Sequence, residues 1–171
     1  MLRQTFTVEI EAPPADVWPA LSDFGGSAWI PKVKSAAPAS DLKSGVGAEQ
    51  LIDHLILGNF RKRVTAWTEG QRVEFAYLDL PEQIKSMTEN WWTSETSSGT
   101  LVTVEQRFEL DLGDFSIMMG PFVQEAAKDD LVHALAGLKC HVETGEAVTS
   151  DFIQVAATDV REQYTSAVKP A

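Results

Sequence analysis

The sequence predicts an α+β domain in which an antiparallel sheet of six or seven strands packs on one long C-terminal helix. Three observations carry this. Residues 4–11 alternate apolar and polar side chains, the period of a strand with one wet face. From about residue 32 to 110, turn residues recur at regular intervals between runs rich in Val, Ile, Phe, Tyr, Trp and Thr, the pattern of consecutive hairpins. After Gly113 the apolar spacing lengthens to between three and five residues, the period of a helix.

In the first strand Phe6, Val8 and Ile10 share one parity, and Pro13-Pro14 ends it. The following PADVWPALSDF places Val17, Leu21 and Phe24 on one helical face, with Pro14 suited to the first turn and Gly25-Gly26 as a stop. Pro19 works against that helix by removing a hydrogen bond. A short turn at SAWIP is expected next. Gly45 with Gly47, Leu57-Gly58-Asn59, Glu69-Gly70-Gln71, Leu80-Pro81-Glu82 and Ser97-Ser98-Gly99 then punctuate a meander of about six strands.

In the helical region Met118, Phe122, Ala126, Leu131, Leu135, Leu138 and Val142 form one stripe. It predicts a helix from about Pro121 to Glu143, about 35 Å long and able to lie along a whole sheet. Residues 1–145 are read as the domain and 146–171 as a C-terminal tail. In that tail Ile153, Ala156, Val160 and Tyr164 fall near the spacing of a peripheral helix, with a mobile tail as the equal alternative.

The chain has 171 residues, 44% of them hydrophobic, enough for one core. Its formal net charge of −11 argues against nucleic acid or an anionic membrane surface as partner, since both need a positive footprint. Cys140 is the single cysteine, so no disulfide framework or cysteine-based zinc site is expected. No run of about 18 apolar residues is present, and the N-terminus lacks the apolar stretch of a secretory signal. A soluble cytoplasmic protein, monomer or homodimer, without cofactor or integral membrane contact, is the expectation.

Other short motifs carry no site. Gly45-Val46-Gly47 lacks the third glycine of a dinucleotide loop and precedes a strand. His133 and His141 are eight residues apart, roughly 12 Å along a helix, too far for one metal ion. Cys140 and His141 are helical neighbours that point apart, so no nucleophilic constellation forms.

Taken in order, EIEAPPADVWPALSDFGG, GVGAEQ, RKRVTAWTEGQRVEFAY, GTLVTVEQRFEL and LAGLKCHVE resemble the polyketide cyclase/dehydrase and lipid-transport branch of the START-like (SRPBCC) superfamily, from about Thr5 to Glu143. The resemblance implies a helix-grip fold, a curved antiparallel sheet of six to seven strands wrapped on the long helix. The space between them is too wide for side chains to fill, which implies a ligand cavity.

Strand parity identifies the lining of such a cavity. Phe60, Val64 and Ala66 form an apolar face interrupted by Lys62; Phe75 pairs with Tyr77, Met87 and Trp91 flank Glu89, and Val104 and Phe108 flank Gln106. In the third strand both parities contain apolar residues, and the resemblance favours Gln50, Ile52, His54 and Ile56 as the inner set. Trp29, Met118, Met119 and Phe122 complete the expected wall. Related domains often carry Arg at the position of Gln50 and a carboxylate at that of Lys62; this chain has neither. An unpaired buried ammonium costs several kcal/mol, so Lys62 is expected to pair with Glu89.

The expected function is binding of a hydrophobic small molecule: a polyketide, lipid, isoprenoid quinone or aromatic natural product. Two alternatives are a cyclase, aromatase or dehydratase with Lys62, Glu89 and His54 as acid and base groups, and a ligand-free interaction module.

Overall fold

The computed structural model describes residues 1–111, 113, 116–148 and 158–167. Strand β1 (Leu2–Ile10) leads to helix α1 (Pro14–Ser22). Six strands follow: β2 (Val33–Pro38), β3 (Glu49–His54), β4 (Gly58–Thr68), β5 (Arg72–Leu78), β6 (Ile84–Glu95) and β7 (Thr100–Leu110). Helix α2 (Ser116–Thr144) and a last strand β8 (Arg161–Ala167) complete the described chain. The strands form one antiparallel sheet in the order β2-β3-β4-β5-β6-β7-β1-β8. This is the helix-grip architecture, with one strand more than the six to seven expected.

The apolar parity of β1 explains its place. Phe6 lies opposite Val104 and Val8 opposite Val102, all four buried, and cross-strand pairs of this kind stabilise a sheet. Against that surface α2 buries Leu131, Ala134, Leu135 and Leu138, which share a core with Phe6, Val8, Ile10 and α1's Val17, Trp18 and Leu21.

Four expectations are corrected. Helix α2 begins at Ser116, five residues before Pro121, which lies inside the helix; a proline suited to a first turn is absorbed in the interior instead. Phe24 sits beyond the end of α1, which stops at Ser22 before reaching Gly25-Gly26, yet it stays buried. A bulge between Val64 and Ala66 breaks the parity of β4, so Trp67 is the residue that packs on the core, its ring 5.1 Å from that of Trp18. An extra residue re-aims every side chain after it. Finally, the helical spacing in the tail does not yield a helix at Tyr164, because residues 161–167 pair with the free edge of β1 as β8; a sheet edge with open hydrogen-bonding groups outweighs a weak amphipathic period. Ile153 and Ala156 lie outside the described residues.

Pro19 does sit inside α1, exposed, at its sixth residue, past the first turn where a missing N–H is harmless. Pro19→Ala is expected to raise stability by about 1 kcal/mol, read as an increase in the urea midpoint at unchanged slope. Among the described residues, no helix is long and apolar enough to cross a membrane.

Candidate functional site

A cavity of about 390 Å³ lies between the inner face of the sheet and α2. Ile52, Phe60, Tyr77, Met87 and Phe108 supply the sheet wall, and Val123, Ala126, Ala127, Leu131 and Ala134 the helix wall. Val123, Ala127, Leu131 and Ala134 are three or four residues apart, the spacing of one face, with Ala126 beside them, and three of the five are alanines, whose short side chains leave the space open. Ile56, Gln83 and Phe122 line the cavity and are exposed. The opening therefore lies among the β3–β4 turn, the β5–β6 loop and the first half of α2.

The inner wall carries a polar row that strand register assembles. Lys62 lies opposite Gln50 on one side and Tyr77 on the other; Glu89 lies opposite Phe75 and Gln106; Gln106 lies opposite Gln4. Lys62 and Glu89 thus straddle β5. The ammonium crosses it over the rings of Tyr77 and Phe75, 4.7 and 5.3 Å from their centroids, and reaches Glu89 Oε2 at 3.0 Å. Such a cation above aromatic faces is itself favourable.

Glu89 is 4% exposed. Its Oε2 also accepts from Trp91 Nε1 at 3.0 Å and its Oε1 from Gln106 Nε2 at 3.1 Å, and the Tyr77 hydroxyl donates to it as well. Burial alone would raise the Glu89 carboxyl; the Lys62 charge and the hydrogen bonds from Tyr77, Trp91 and Lys62 outweigh it and hold the group below its ordinary range. Burial and the adjacent Glu89 charge push the Tyr77 phenol well above its ordinary value. Because a carboxylate only accepts, the amides are oriented outward from Glu89: Gln106 donates to it and accepts from Gln4 Nε2 at 2.9 Å. Gln4 Oε1 is left buried without a partner.

A second polar cluster joins the helix side of the cavity to the start of β2 and the end of β3. Lys32 Nζ, just before β2, bonds Asp129 Oδ2 at 2.6 Å and also Asp130. Burial lowers the affinity of Lys32 for its proton, but the two aspartates more than restore it, so its pKa is raised. His54 is 6% exposed; its Nδ1 accepts the backbone N–H groups of Ile56 and Leu57, both at 3.2 Å, which puts the ring proton on Nε2. Nε2 lies 3.7 Å from Asp130 Oδ2. Burial lowers the His54 pKa; Asp130 opposes this, while the Lys62 and Lys32 charges reinforce it. His133 Nδ1 lies 2.8 Å from the Asp129 carbonyl. Among the described residues, no group of three or more His, Cys, Asp or Glu side chains is placed to hold a metal ion.

The family described as Polyketide cyclase / dehydrase and lipid transport matches residues 1–143. The chain belongs to that family.

Solved structures of the same fold include a START superfamily protein from Mycobacterium smegmatis, 20% identical, with 84% of this chain and 98% of that chain covered and a TM-score of 0.68. The protein TTHA0849 from Thermus thermophilus is 19% identical, with 82% of this chain and 96% of that chain covered and a TM-score of 0.69. The di-domain ARO/CYC BexL from the BE-7585A biosynthetic pathway is 20% identical, with 83% of this chain and 50% of that chain covered and a TM-score of 0.68. No curated protein matches by sequence. Strand β8 lies beyond the span the family covers.

Of the residues expected from sequence at this family's cavity, Ile52, His54, Phe60, Lys62, Tyr77, Met87, Glu89, Gln106, Phe108 and Phe122 line it. Trp29, Gln50, Phe75 and Trp91 do not: they surround a separate void of about 20 Å³, where the Trp29 and Trp91 rings meet edge to face at 5.5 Å. Their parity is inward, but that part of the interior is filled by large rings. Met118 and Met119 are exposed and outside the lining, as they stand on the first turn of α2, several residues before its cavity-facing positions begin at Phe122. Ile56 reaches the cavity only at its opening, 65% exposed, because β3 ends at His54. The sequence reading missed Lys32, Asp130 and His133. The available signal was Asp130 in helical step with Val123, Ala127 and Ala134.

Proposed function

We propose that this domain binds a hydrophobic small molecule in the cavity under α2. The supporting observation is the cavity of about 390 Å³, whose walls are mainly aliphatic and aromatic and whose polar groups are few and localised. An apolar void of about 150 Å³ holds one benzene, so this space suits a molecule of about two to three fused rings or an equivalent chain. An open cavity where a solid core would otherwise stand speaks against a ligand-free interaction module.

Enzymatic action on the enclosed molecule is the second reading. It is favoured by the ring of Lys62, Glu89 and Tyr77 on one wall, with His54 and Asp130 near the helix. All can exchange or orient protons next to a ligand shielded from water.

Native mass spectrometry of protein purified from its own host tests the first reading: a bound small molecule is expected, displaced when Ala127→Phe narrows the cavity. Lys62→Met is expected to change the affinity for that molecule at least fivefold. Arg61→Met and Arg63→Met should stay within about twofold, since both guanidiniums bond Glu49 on the other face of the sheet. Equal effects from all three substitutions, or no ligand in any preparation, would count against the proposal. The extracted molecule separates the two readings when returned to emptied protein. Binding alone gives it back unchanged; an enzyme alters it, and Glu89→Gln stops the alteration.

A further inference from the structure

We infer that the ligand is an uncharged apolar molecule carrying a hydroxyl group, which bridges His54 Nε2 and Asp130 Oδ2, and that the cavity discriminates against carboxylates. This rests on the binding function proposed above and narrows its ligand class.

The charges come first. Among the described residues the cavity is lined by two ammonium groups, Lys32 and Lys62. Lys62 is held by Glu89 at 3.0 Å, and Lys32 by both Asp129 and Asp130. An incoming carboxylate therefore meets no cation without a carboxylate partner, and on the helix side it meets Asp130, one of two aspartates that share Lys32. Desolvating an anion there without a counter-charge is costly. The net charge of −11 adds long-range repulsion.

Hydrogen-bonding capacity decides the rest. Glu89 already receives Lys62, Trp91, Gln106 and Tyr77, so it offers little to a ligand. His54 and Asp130 differ. Both backbone bonds to Nδ1 leave Nε2–H as the free end of the imidazole, and Asp130 Oδ2, at 3.7 Å, is beyond direct hydrogen-bond distance. A donor and an acceptor thus face each other across a gap on the wall of an apolar chamber. A hydroxyl oxygen about 2.9 Å from the nitrogen and about 2.7 Å from the carboxylate closes a triangle on that edge, accepting from Nε2–H and donating to Oδ2. An ether or ketone satisfies His54 alone. An ammonium satisfies Asp130 but sets a positive charge against Nε2–H. A carboxylate accepts from His54 and is forced against Asp130.

The test is calorimetric titration, at pH 8, of protein freed of host ligand with four probes on one scaffold: 2-naphthol, 2-methoxynaphthalene, 2-naphthoate and 2-naphthylmethylammonium. 2-Naphthol is expected to bind about tenfold more tightly than the methoxy compound, the effect of one added hydrogen bond to a charged acceptor, and at least thirtyfold more tightly than the naphthoate. His54→Phe removes the donor that both probes share and is expected to weaken both while leaving the naphthol preference, whereas in Asp130→Ala the ratio of naphthol to methoxy affinity is expected to fall to near one. The ratio cancels any general change in cavity shape, and Lys32 keeps Asp129 in the second variant. Naphthoate binding within threefold of naphthol, or a hydroxyl preference that survives Asp130→Ala, overturns the inference while leaving hydrophobic binding in place. Failure of all four probes to bind overturns it together with the reading it rests on.

Discussion

Lys62→Met is expected to lower the stability of the fold by about 3–5 kcal/mol at pH 7, the usual cost of removing one partner from a buried ion pair. The side chains of Lys62 and Glu89 are 13% and 5% exposed, so water cannot take the place of the missing ammonium. The loss should depend on pH with a definite sign. In the parent protein Glu89 titrates below its ordinary value of 4.5, so it contributes stability that is present above that value and lost as pH falls through the folded one. Without Lys62 the burial of Glu89 has lost its strongest opponent, and its pKa should rise above 4.5. The variant then gains stability as pH falls through that raised value, and the gap between the two proteins closes. Urea denaturation at pH 7 and pH 4 measures this, and an equal gap at both would show that the charge pair is not its origin. Lys62→Met with Glu89→Gln should recover most of the loss, because a neutral amide still accepts from Trp91 and Tyr77 without a buried charge.

That this pair could be foreseen, while Asp130 and Lys32 were not, has a physical reason. A strand's period of two assigns each side chain to a face, so an interruption such as Lys62 among Phe60 and Val64 stands out, and Glu89 between Met87 and Trp91 stands out in the same way. Parity says nothing about distance along the strand. Phe75 and Trp91 share the inward face with Tyr77 and Met87, yet they fill the interior at one end while the others line the cavity at the other. Nor does parity survive a bulge, and Trp67 took the inward place that Ala66 would have had. On α2 the large apolar residues Leu131, Leu135 and Leu138 mark the stripe that packs on the core. The open part of the helix is instead marked by what is small, Ala126, Ala127 and Ala134, with Asp130 among them. Lys32 is paired with Asp129 and Asp130 across nearly a hundred residues of chain, a contact that only the packed fold specifies.

Gly137→Ala on α2 is expected to destabilise the protein by about 3 kcal/mol, although alanine is the better helix former by about 1 kcal/mol. A Cβ at this position would stand 2.2 Å from the carbonyl oxygen of Trp29 and 3.4 Å from Pro31 Cδ. The first contact is with backbone, so the segment must move, and forced overpacking costs about 1–3 kcal/mol or more. That segment anchors much of the interior: the Trp29 indole donates to the Ala20 carbonyl at 3.0 Å and packs on Trp91, and Lys32 three residues later holds Asp130 at the cavity. The steric effect should therefore reach the site, with affinity for a hydrophobic probe falling about tenfold alongside the loss of stability. Gly120→Ala is the control on the same helix, since apart from its chain neighbours and the helix's own backbone nothing lies within 4 Å of its Cβ; Pro121 after it opposes the gain in helix propensity, so it should stay within about 1 kcal/mol of the parent. Thermal denaturation and probe titration of the two variants side by side separate helix propensity from the contact. If Gly137→Ala matched Gly120→Ala in both measurements, the close approach of the Trp29 backbone to α2 would not hold in solution.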